Sequence, residues 1–204
     1  MKRIFVLLDY LFLQNFETDC QDVFLKHNLN EHFEIFILNL NIRSDKLVNL
    51  SKISNLHIID FSGENLFNYI YENTIESSYF MMPHMLLNFP YLALKVSLYP
   101  DHIFLNRNYV SRGVDRILSC VKDEKFKEET RKCLTESSIF SDSCFGTTLY
   151  NSDLMYGTKD FYSSLCKTFE EINKSDVIEL DSHMKFDLSL NLTLLKNKYI
   201  INSV

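Results

Sequence analysis

The stretch IFVLLDY, residues 4–10, decides the fold, because its continuous apolar run is typical of a strand that is buried on both faces. Two further apolar runs follow at residues 33–40 (FEIFILNL) and 56–61 (LHIIDF). Helical patterns at residues 17–28 and 45–51 separate the three runs. This alternation predicts an α/β fold with a largely parallel sheet, in which Asp9 and Tyr10 lie at the carboxyl end of the first strand.

The same patterns predict helices and strands further along the chain. Helices are predicted over residues 65–73, 81–94, 112–120, 122–134 and 159–173, with Pro90 ending or kinking the second of them. Strands are predicted over residues 96–105, interrupted near Pro100, and over residues 145–150, while residues 188–195 fit either a helix or a strand. Since the length suits one domain and no flexible linker is visible, we expect residues 1–204 to form a single domain.

Composition argues against several classes of protein. The net charge of −6 disfavours a surface that binds nucleic acid. No stretch is long and apolar enough to predict a transmembrane segment. The chain has four glycines and none of the motifs GxGxxG, GxxxxGK[ST], GxSxG and HExxH. Dinucleotide enzymes, P-loop NTPases, α/β-hydrolases and zincins are therefore disfavoured.

The cysteines and the N-terminus indicate the compartment. Five cysteines are scattered along the chain without a CxxC pair, which predicts reduced thiols in a cytoplasmic protein. The apolar opening resembles a signal peptide superficially, but Asp9 interrupts it and no small-residue cleavage site follows. We therefore interpret it as a buried first strand.

Two polar pairs are candidates for a binding site. Ligand sites of open α/β sheets collect beyond the carboxyl ends of strands, where Asp9 and Tyr10 are expected, although a carboxylate that caps a turn explains Asp9 as well. Asp101 and His102, in the run LYPDHIFLN, are residue types that bind a divalent cation or a diphosphate through that cation. An isolated Asp-His pair also occurs by chance, so the pair alone does not define a site.

A third polar group is DSHMKFD, residues 181–187, which places two carboxylates close together. Asp181 and Asp187 are candidates for a catalytic role. The alternative is an ordinary start of a helix, with Asp181 as its N-cap.

The order of these segments resembles that of glycosyltransferases of family eight, the group that contains glycogenin and bacterial lipooligosaccharide galactosyltransferases. The opening IFVLLDYLFLQNFETDCQDVF is similar to the family's first strand, which ends in an Asp with a nearby Tyr. The segment SSYFMMPHMLLNFPYLALKVSLYPDHIFLN resembles the family's Tyr-rich helix, its Pro and Lys, and the strand that ends in Tyr-Leu-Asp-Ala-Asp. CFGTTLYNSDLMYGTKDFYSSL resembles the Phe-Asn-Ser-Gly strand, and DSHMKFDLSLNLTLLKNKYIIN resembles the Asp-Gln-Asp…Leu-Asn segment.

The resemblance implies a GT-A fold, which is Rossmann-like, with a mostly parallel mixed sheet flanked by helices. It implies that Asp9 and Tyr10 contact the nucleobase and ribose of a UDP-sugar donor. By the same resemblance, Asp101 and His102 hold Mn²⁺ or Mg²⁺ on the diphosphate, and Lys95 reaches the phosphates.

The implied activity is the transfer of a hexose from a UDP-sugar-type donor to a glycan or protein acceptor. Asp181 and Asp187 would then lie near the reacting sugar. The short chain with its 17 Phe and 11 Tyr also predicts a homo-oligomer or a larger glycosyltransferase partner.

Two departures from the family pattern leave other interpretations open. Only one acid of the Asp-x-Asp pair is present, beside His102, and Met81 stands where the family has an Arg. The alternative is a glycosyltransferase-like domain without catalysis that acts as a binding or assembly partner. A third interpretation is a different α/β protein.

Overall fold

A computed structural model describes residues 1–9, 16–40, 42, 47–62, 66–108, 119, 122–125, 127–128, 131, 141–142, 146–147, 149–174, 182–197 and 199–203. The strands in these residues are β1 (Lys2–Leu8), β2 (Phe33–Asn39), β3 (Leu56–Asp60), β4 (Ser77–Met81), β5 (Ile103–Asn108), β6 (Ser141–Asp142), β7 (Gly146–Thr147), β8 (Leu149–Thr158) and β9 (Ile201–Ser203). The helices are α1 (Phe16–Cys20), which continues as a π-helical turn (Gln21–Leu25), α2 (Leu29–His32), α3 (Leu66–Asn73), α4 (Phe89–Leu98), α5 (Lys159–Lys174) and α6 (Ser182–Lys196). Two 3₁₀ turns lie at Leu50–Lys52 and Pro83–Asn88.

Seven of these strands form one mixed sheet in the order β3-β2-β1-β4-β8-β5-β9. β1 pairs in parallel with β2 and β4, and β2 pairs in parallel with β3. β8 is antiparallel to both of its neighbours, β4 and β5, and β9 is parallel to β5. The mostly parallel α/β fold that the sequence predicts is therefore confirmed. We call the side of the sheet where β1 to β5 end the carboxyl edge, and the opposite side the amino edge.

The core lies on both faces of the sheet. On β1, Ile4 and Val6 face a cluster that includes residues of α1 and α4, whereas Phe5 and Leu7 face a cluster that includes residues of α3 and α5. All four side chains are at most 4% exposed. A strand covered on both faces requires an apolar residue at each position, which explains the unbroken run in the sequence.

Several predicted elements are confirmed. β2 and β3 occupy the second and third apolar runs, and α3 and α5 match the predicted helices over residues 65–73 and 159–173. Residues 188–195, which fitted either a helix or a strand, belong to α6. Within the part of the chain that the structure describes, none of the helices has the length and apolar character needed to cross a bilayer.

The prediction for residues 81–94 is wrong in part. Met81 ends β4, the 3₁₀ turn follows, and α4 begins at Phe89 with Pro90 in its first turn. Pro90 therefore starts this helix and does not end it, because the first helical turn needs no hydrogen bond from the missing proline N–H.

The predicted strand over residues 96–105 is also wrong at its start. Val96 and Leu98 belong to the last turn of α4, and β5 begins only at Ile103. The predicted strand at residues 145–150 is described only in part, and β8 continues it to Thr158. The predicted helices over residues 112–120 and 122–134 lie mostly outside the described residues.

Candidate functional site at the carboxyl edge

Asp9 directly follows β1 at the carboxyl edge, where the sequence predicts it, and is half-buried. β1 and β4 are parallel with Val6 opposite Met81, so Asp9 and His84 each lie three residues beyond this pair. The backbone leaves the sheet here after β1 and again after β4. Tyr10 lies outside the described residues.

At the carboxyl edge, hydrogen bonds of the Asn39 side chain join the end of β2 to the end of β3. Its buried amide nitrogen donates to Asp60 Oδ1 at 2.8 Å and to the Ile42 carbonyl at 2.9 Å. Its Oδ1 accepts from the Ile42 N–H at 3.1 Å. Both polar atoms of the buried Asn39 amide form hydrogen bonds. Asn39 therefore fixes the backbone that follows β2 and the Asp60 carboxylate at the end of β3.

A second polar group, the His84 cluster, consists of His84, Asn151 and Asp153. His84 Nε2 lies 3.4 Å from Asp153 Oδ2, and the Asn151 amide donates to the same oxygen at 3.0 Å. The Met82 N–H donates to the Asp153 carbonyl at 2.7 Å. This last bond continues the pairing of β4 with β8 and keeps the cluster at the point where β4 ends.

The antiparallel β8 carries this edge beyond the end of β4. Leu154 pairs with Met81, so Asn151 and Ser152 extend past the last residue of β4, where Asn151 pairs with Asn106 of β5. The register of β5 shifts after Leu105, and such irregularities bend a strand locally. The part of β5 and β8 that extends beyond the end of β4 therefore forms one wall of the carboxyl edge.

α6 is tied to this wall by two side chains. Asp187 Oδ1 accepts from the Ser152 N–H at 2.8 Å and from the Ser152 hydroxyl at 2.9 Å. The Asn191 amide pairs with the backbone of Tyr150, donating to its carbonyl at 2.8 Å and accepting from its N–H at 3.1 Å. Asp187 thus reaches the carboxyl edge, where it positions Ser152, whereas Asp181 lies outside the described residues.

The structure places the remaining predicted site residues elsewhere. Asp101 is exposed in the turn before β5, and His102 forms a hydrogen bond with the Asn202 amide of β9. Lys95 lies in the last turn of α4, with Nζ 4.7 Å from the centre of the Tyr91 ring.

Asp101 and His102 therefore do not lie within a strand, as the predicted strand over residues 96–105 implied, but precede β5 at the amino edge. A strand of six residues, about 20 Å long, separates this edge from the carboxyl edge. The pair is thus not brought to Asp9. The sequence around Pro100 fits an interrupted strand as well as the end of a helix, and in the structure Pro100 follows α4.

Sequence reasoning missed the residues of the His84 cluster. Their signals were present, because YFMMPH is an apolar run that ends in a His, and LYNSDLMY interrupts an apolar strand with three polar residues. Neither signal tells which strand lies beside β1, and that neighbour decides which polar residues lie at the same edge as Asp9.

The edge is rich in groups that bind polyhydroxylated ligands. Asp9, Asp153 and Asp187 supply carboxylates, which accept hydrogen bonds from hydroxyl groups, and His84 supplies an imidazole that can carry a positive charge. Among the described residues, however, no group of three His, Cys, Asp or Glu side chains is arranged to hold a metal ion.

No family model matches the sequence, and no curated protein matches it. Comparison with solved structures does find related folds. The galactosyltransferase LgtC in complex with donor and acceptor sugar analogs superimposes with a TM-score of 0.55 at 10% identity, over 99% of this chain and 73% of LgtC. A crystal structure of an active-site mutant of LgtC gives a TM-score of 0.54 at 9% identity, over 99% of this chain and 72% of that chain.

A third similar structure is core-mannan synthase A (CmsA/Ktr4) from Aspergillus fumigatus in a Mn/GDP form. It gives a TM-score of 0.51 at 8% identity, over 99% of this chain and 72% of that chain. At such low identity the likeness concerns the fold. The chain therefore has the GT-A-like α/β fold of these glycosyltransferases.

Proposed function

We propose that this chain is a nucleotide-sugar-dependent glycosyltransferase of the family-eight type, with its donor site at the carboxyl edge. The observation that carries the proposal is the position of Asp9, the His84 cluster and Asp187 at the same edge of a GT-A-like sheet. Open α/β sheets bind ligands beyond the carboxyl ends of their strands. The proposed reaction moves a hexose from a UDP-sugar-type donor to a glycan or protein acceptor.

In this proposal Asp9 and Tyr10 bind the nucleoside of the donor. A carboxylate accepts hydrogen bonds from the ribose hydroxyls or from the imide N–H of uracil. His84, at the end of the neighbouring strand, then faces the diphosphate. Its protonated form would stabilise the negative charge that develops on the leaving diphosphate.

Asp181 and Asp187 are proposed to lie near the reacting sugar. Transfer breaks the bond between the anomeric carbon and the diphosphate oxygen and forms a bond to an acceptor hydroxyl, through an oxocarbenium-like transition state. Carboxylates nearby stabilise the positive charge of that state. Because Asp187 already accepts two hydrogen bonds from Ser152, we assign it to positioning, and assign the closer role to Asp181.

The UDP-sugar donor is the proposed cofactor, and Mn²⁺ or Mg²⁺ is the ion whose contribution to donor binding is to be tested. The CmsA structure is a Mn/GDP form, so the metal dependence of binding is the informative comparison.

The buried, free thiols of Cys20 and Cys166 fit a reducing compartment, and we propose a cytoplasmic location. Nucleic acid is not a proposed ligand, since the net charge is −6.

The proposal is tested by thermal-shift titration with UDP and UDP-sugars, with Mn²⁺ and with EDTA. A ligand that binds the folded state raises the melting temperature by mass action. Asp9→Asn should weaken UDP binding by roughly tenfold or more, because hydrogen bonds to a charged group contribute about 1.5–3 kcal/mol. The matched control is Asp101→Asn, which makes the same chemical change at the amino edge.

A shift that is lost in Asp9→Asn and kept in Asp101→Asn supports a donor site at the carboxyl edge. Equal losses in both variants, or an intact shift in Asp9→Asn, would contradict it. Release of UDP in the presence of candidate acceptors then tests the transfer itself.

A second candidate function is a glycosyltransferase-like binding or assembly partner without catalysis. It is favoured by the internal hydrogen bonds of the edge carboxylates, since Asp153 binds Asn151 and Asp187 binds Ser152. The same titration decides between the two, because no nucleotide should stabilise such a protein. Capture of a larger glycosyltransferase partner would then support this second function.

A further inference from the structure

Two histidines lie against a carboxylate in nearly the same geometry. His84 Nε2 lies 3.4 Å from Asp153 Oδ2, and His57 Nε2 lies 3.5 Å from Glu34 Oε1. The two imidazoles are similarly exposed, at 42% and 47%. The pairs differ in position, because His84 and Asp153 lie at the carboxyl edge, whereas Glu34 and His57 are each the second residue of a strand that starts at the amino edge.

The two carboxylates also differ in the cations beside them. Arg3 Nε donates to Glu34 at 2.8 Å, so a guanidinium balances the charge of Glu34 whether or not His57 is protonated. Among the side chains that the structure describes, His84 is the basic group within ion-pair distance of Asp153. The pairing of Asp153 with a cation therefore depends on His84, whereas Glu34 has a permanent partner.

Asp153 is itself held in place on β8. The Asn151 amide donates to Asp153 Oδ2 at 3.0 Å and accepts from the Asp153 N–H at 3.3 Å. The Asp153 carbonyl accepts from the Met82 N–H at 2.7 Å, and Pro83 restricts the backbone between this bond and His84. Asp153 thus holds the segment 82–84 at both of its ends, by its carbonyl and by its carboxylate. An imidazole fixed in this way loses little conformational entropy when it binds a ligand.

A diphosphate at the carboxyl edge requires positive charge. The carboxylates of Asp9, Asp153 and Asp187 lie at this edge, and each repels an anion. A cation bound to the diphosphate supplies positive charge, and so does the protonated imidazole of His84. The orientation of the His84 ring therefore matters for the phosphates of a ligand and not for its nucleoside.

We propose that Asp153 is a positioning residue that acts through His84, by holding its ring so that the imidazole contacts the diphosphate of the donor. This role rests on the proposed function of the carboxyl edge. It divides the recognition of the donor between two groups, since Asp9 serves the nucleoside whereas His84, oriented by Asp153, adds affinity for the diphosphate. The pair of Glu34 and His57 has no such role.

The test compares the affinities of the full chain for UDP and for uridine, which lacks the diphosphate, by nuclear magnetic resonance titration at one pH and one Mn²⁺ concentration. His84→Gln should weaken UDP binding roughly tenfold, because it removes a hydrogen bond to a charged group, and should leave uridine binding unchanged. Asp153→Asn should weaken UDP binding about threefold or more. The double variant should bind UDP no more weakly than His84→Gln alone, since a residue that acts through another has no effect in its absence.

The matched control is Glu34→Gln, which makes the same kind of change beside His57 and should leave both affinities unchanged. Nitrogen-15 spectra of the imidazole rings give a readout that a purely structural role would not move. UDP should shift the ring signals of His84 in the wild type, and uridine should not. Because this comparison needs no substitution, it holds even where a variant does not fold, and circular dichroism verifies the fold of each variant.

Several results would overturn this role of Asp153. They are equal losses of UDP and uridine binding in His84→Gln, additive losses in the double variant, and ring signals of His84 that UDP leaves unchanged. The proposed function survives these results if the wild type binds UDP and Asp9→Asn weakens that binding. A wild type that binds neither UDP nor uridine would overturn the proposed function and the role of Asp153 together.

Discussion

At the scale of single residues, the contact between Asp187 and Ser152 illustrates how a predicted catalytic group has a structural role. The carboxylate accepts one hydrogen bond from a backbone N–H and one from a hydroxyl of the same residue. Both atoms belong to β8, so the carboxylate joins α6 to the sheet. Hydrogen bonds to charged groups are stronger than those between neutral groups.

We expect Asp187→Asn to lower the free energy of unfolding by about 1–3 kcal/mol, because Ser152 would lose a charged acceptor in a half-buried site. Denaturant unfolding followed by circular dichroism measures the change. The control is Asp101→Asn, whose carboxylate is exposed, and which should change stability by less than about 0.5 kcal/mol. Equal effects of the two substitutions would contradict the role of Asp187 as a tie between α6 and β8.

Residue-scale patterns predicted only part of the site. Asp9 lies where the sequence placed it, because a buried strand must end in a polar residue where the chain turns. The resemblance assigns Asp101 and His102 to the diphosphate of the same donor, yet the local pattern around Pro100 fits a broken strand and the end of a helix equally well. Propensity over a few residues cannot separate those two cases.

At the scale of elements, the junction between β8 and α5 depends on Gly157. A Cβ atom at this position would lie 2.2 Å from Cδ1 of Phe161, which is fully buried in the first turn of α5. The missing side chain therefore allows α5 to begin directly at the end of β8. Close approach of a strand and a helix is one reason for glycine in a strand.

We predict that Gly157→Ala lowers the free energy of unfolding by about 1–3 kcal/mol, since the Phe161 ring must move within a packed core. Thermal or denaturant unfolding measures the loss. The double variant Gly157→Ala/Phe161→Leu is expected to show a favourable coupling, because the smaller side chain removes the clash. Strict additivity of the two substitutions would argue that the loss has another cause.

At the scale of the whole molecule, the buried hydroxyl of Tyr162 and the buried thiol of Cys166 make the stability of the fold depend on alkaline pH. Burial raises the pKa of the Tyr162 hydroxyl, which donates to the Ser78 carbonyl, well above its ordinary 10.0. Burial, followed by the charge of Glu170, raises the pKa of the Cys166 thiol from 9.0 to about 11. Both groups hold their protons more tightly in the folded chain than in the unfolded chain.

The sign of the effect follows from this difference. The stabilising contribution of Cys166 is fully present below pH 9.0 and is lost as the pH rises to about 11, while that of Tyr162 is lost as the pH rises above 10.0. We expect the free energy of unfolding to fall progressively above about pH 9. Tyr162→Phe should reduce the slope above pH 10.0, as measured by denaturant unfolding at a series of pH values. An unchanged slope would show that Tyr162 ionises without unfolding.

The sequence by itself determined the parallel half of the sheet and the site of Asp9. Runs such as residues 4–8 bury a side chain at every position, as a strand covered on both faces requires. The periodicity of Phe161, Leu165 and Phe169 likewise determined α5, because one face of a helix must be apolar to pack on a sheet.

Only the tertiary structure decided which strands are neighbours and which polar residues meet. β8 inserts between β4 and β5, strands that precede it by many residues, and this insertion brings Asp153 to His84 and Ser152 to Asp187. Strand order is set by long-range packing on both faces, and the local alternation of residues carries no information about it. For the same reason the amino-edge position of His102 became visible only in the folded chain.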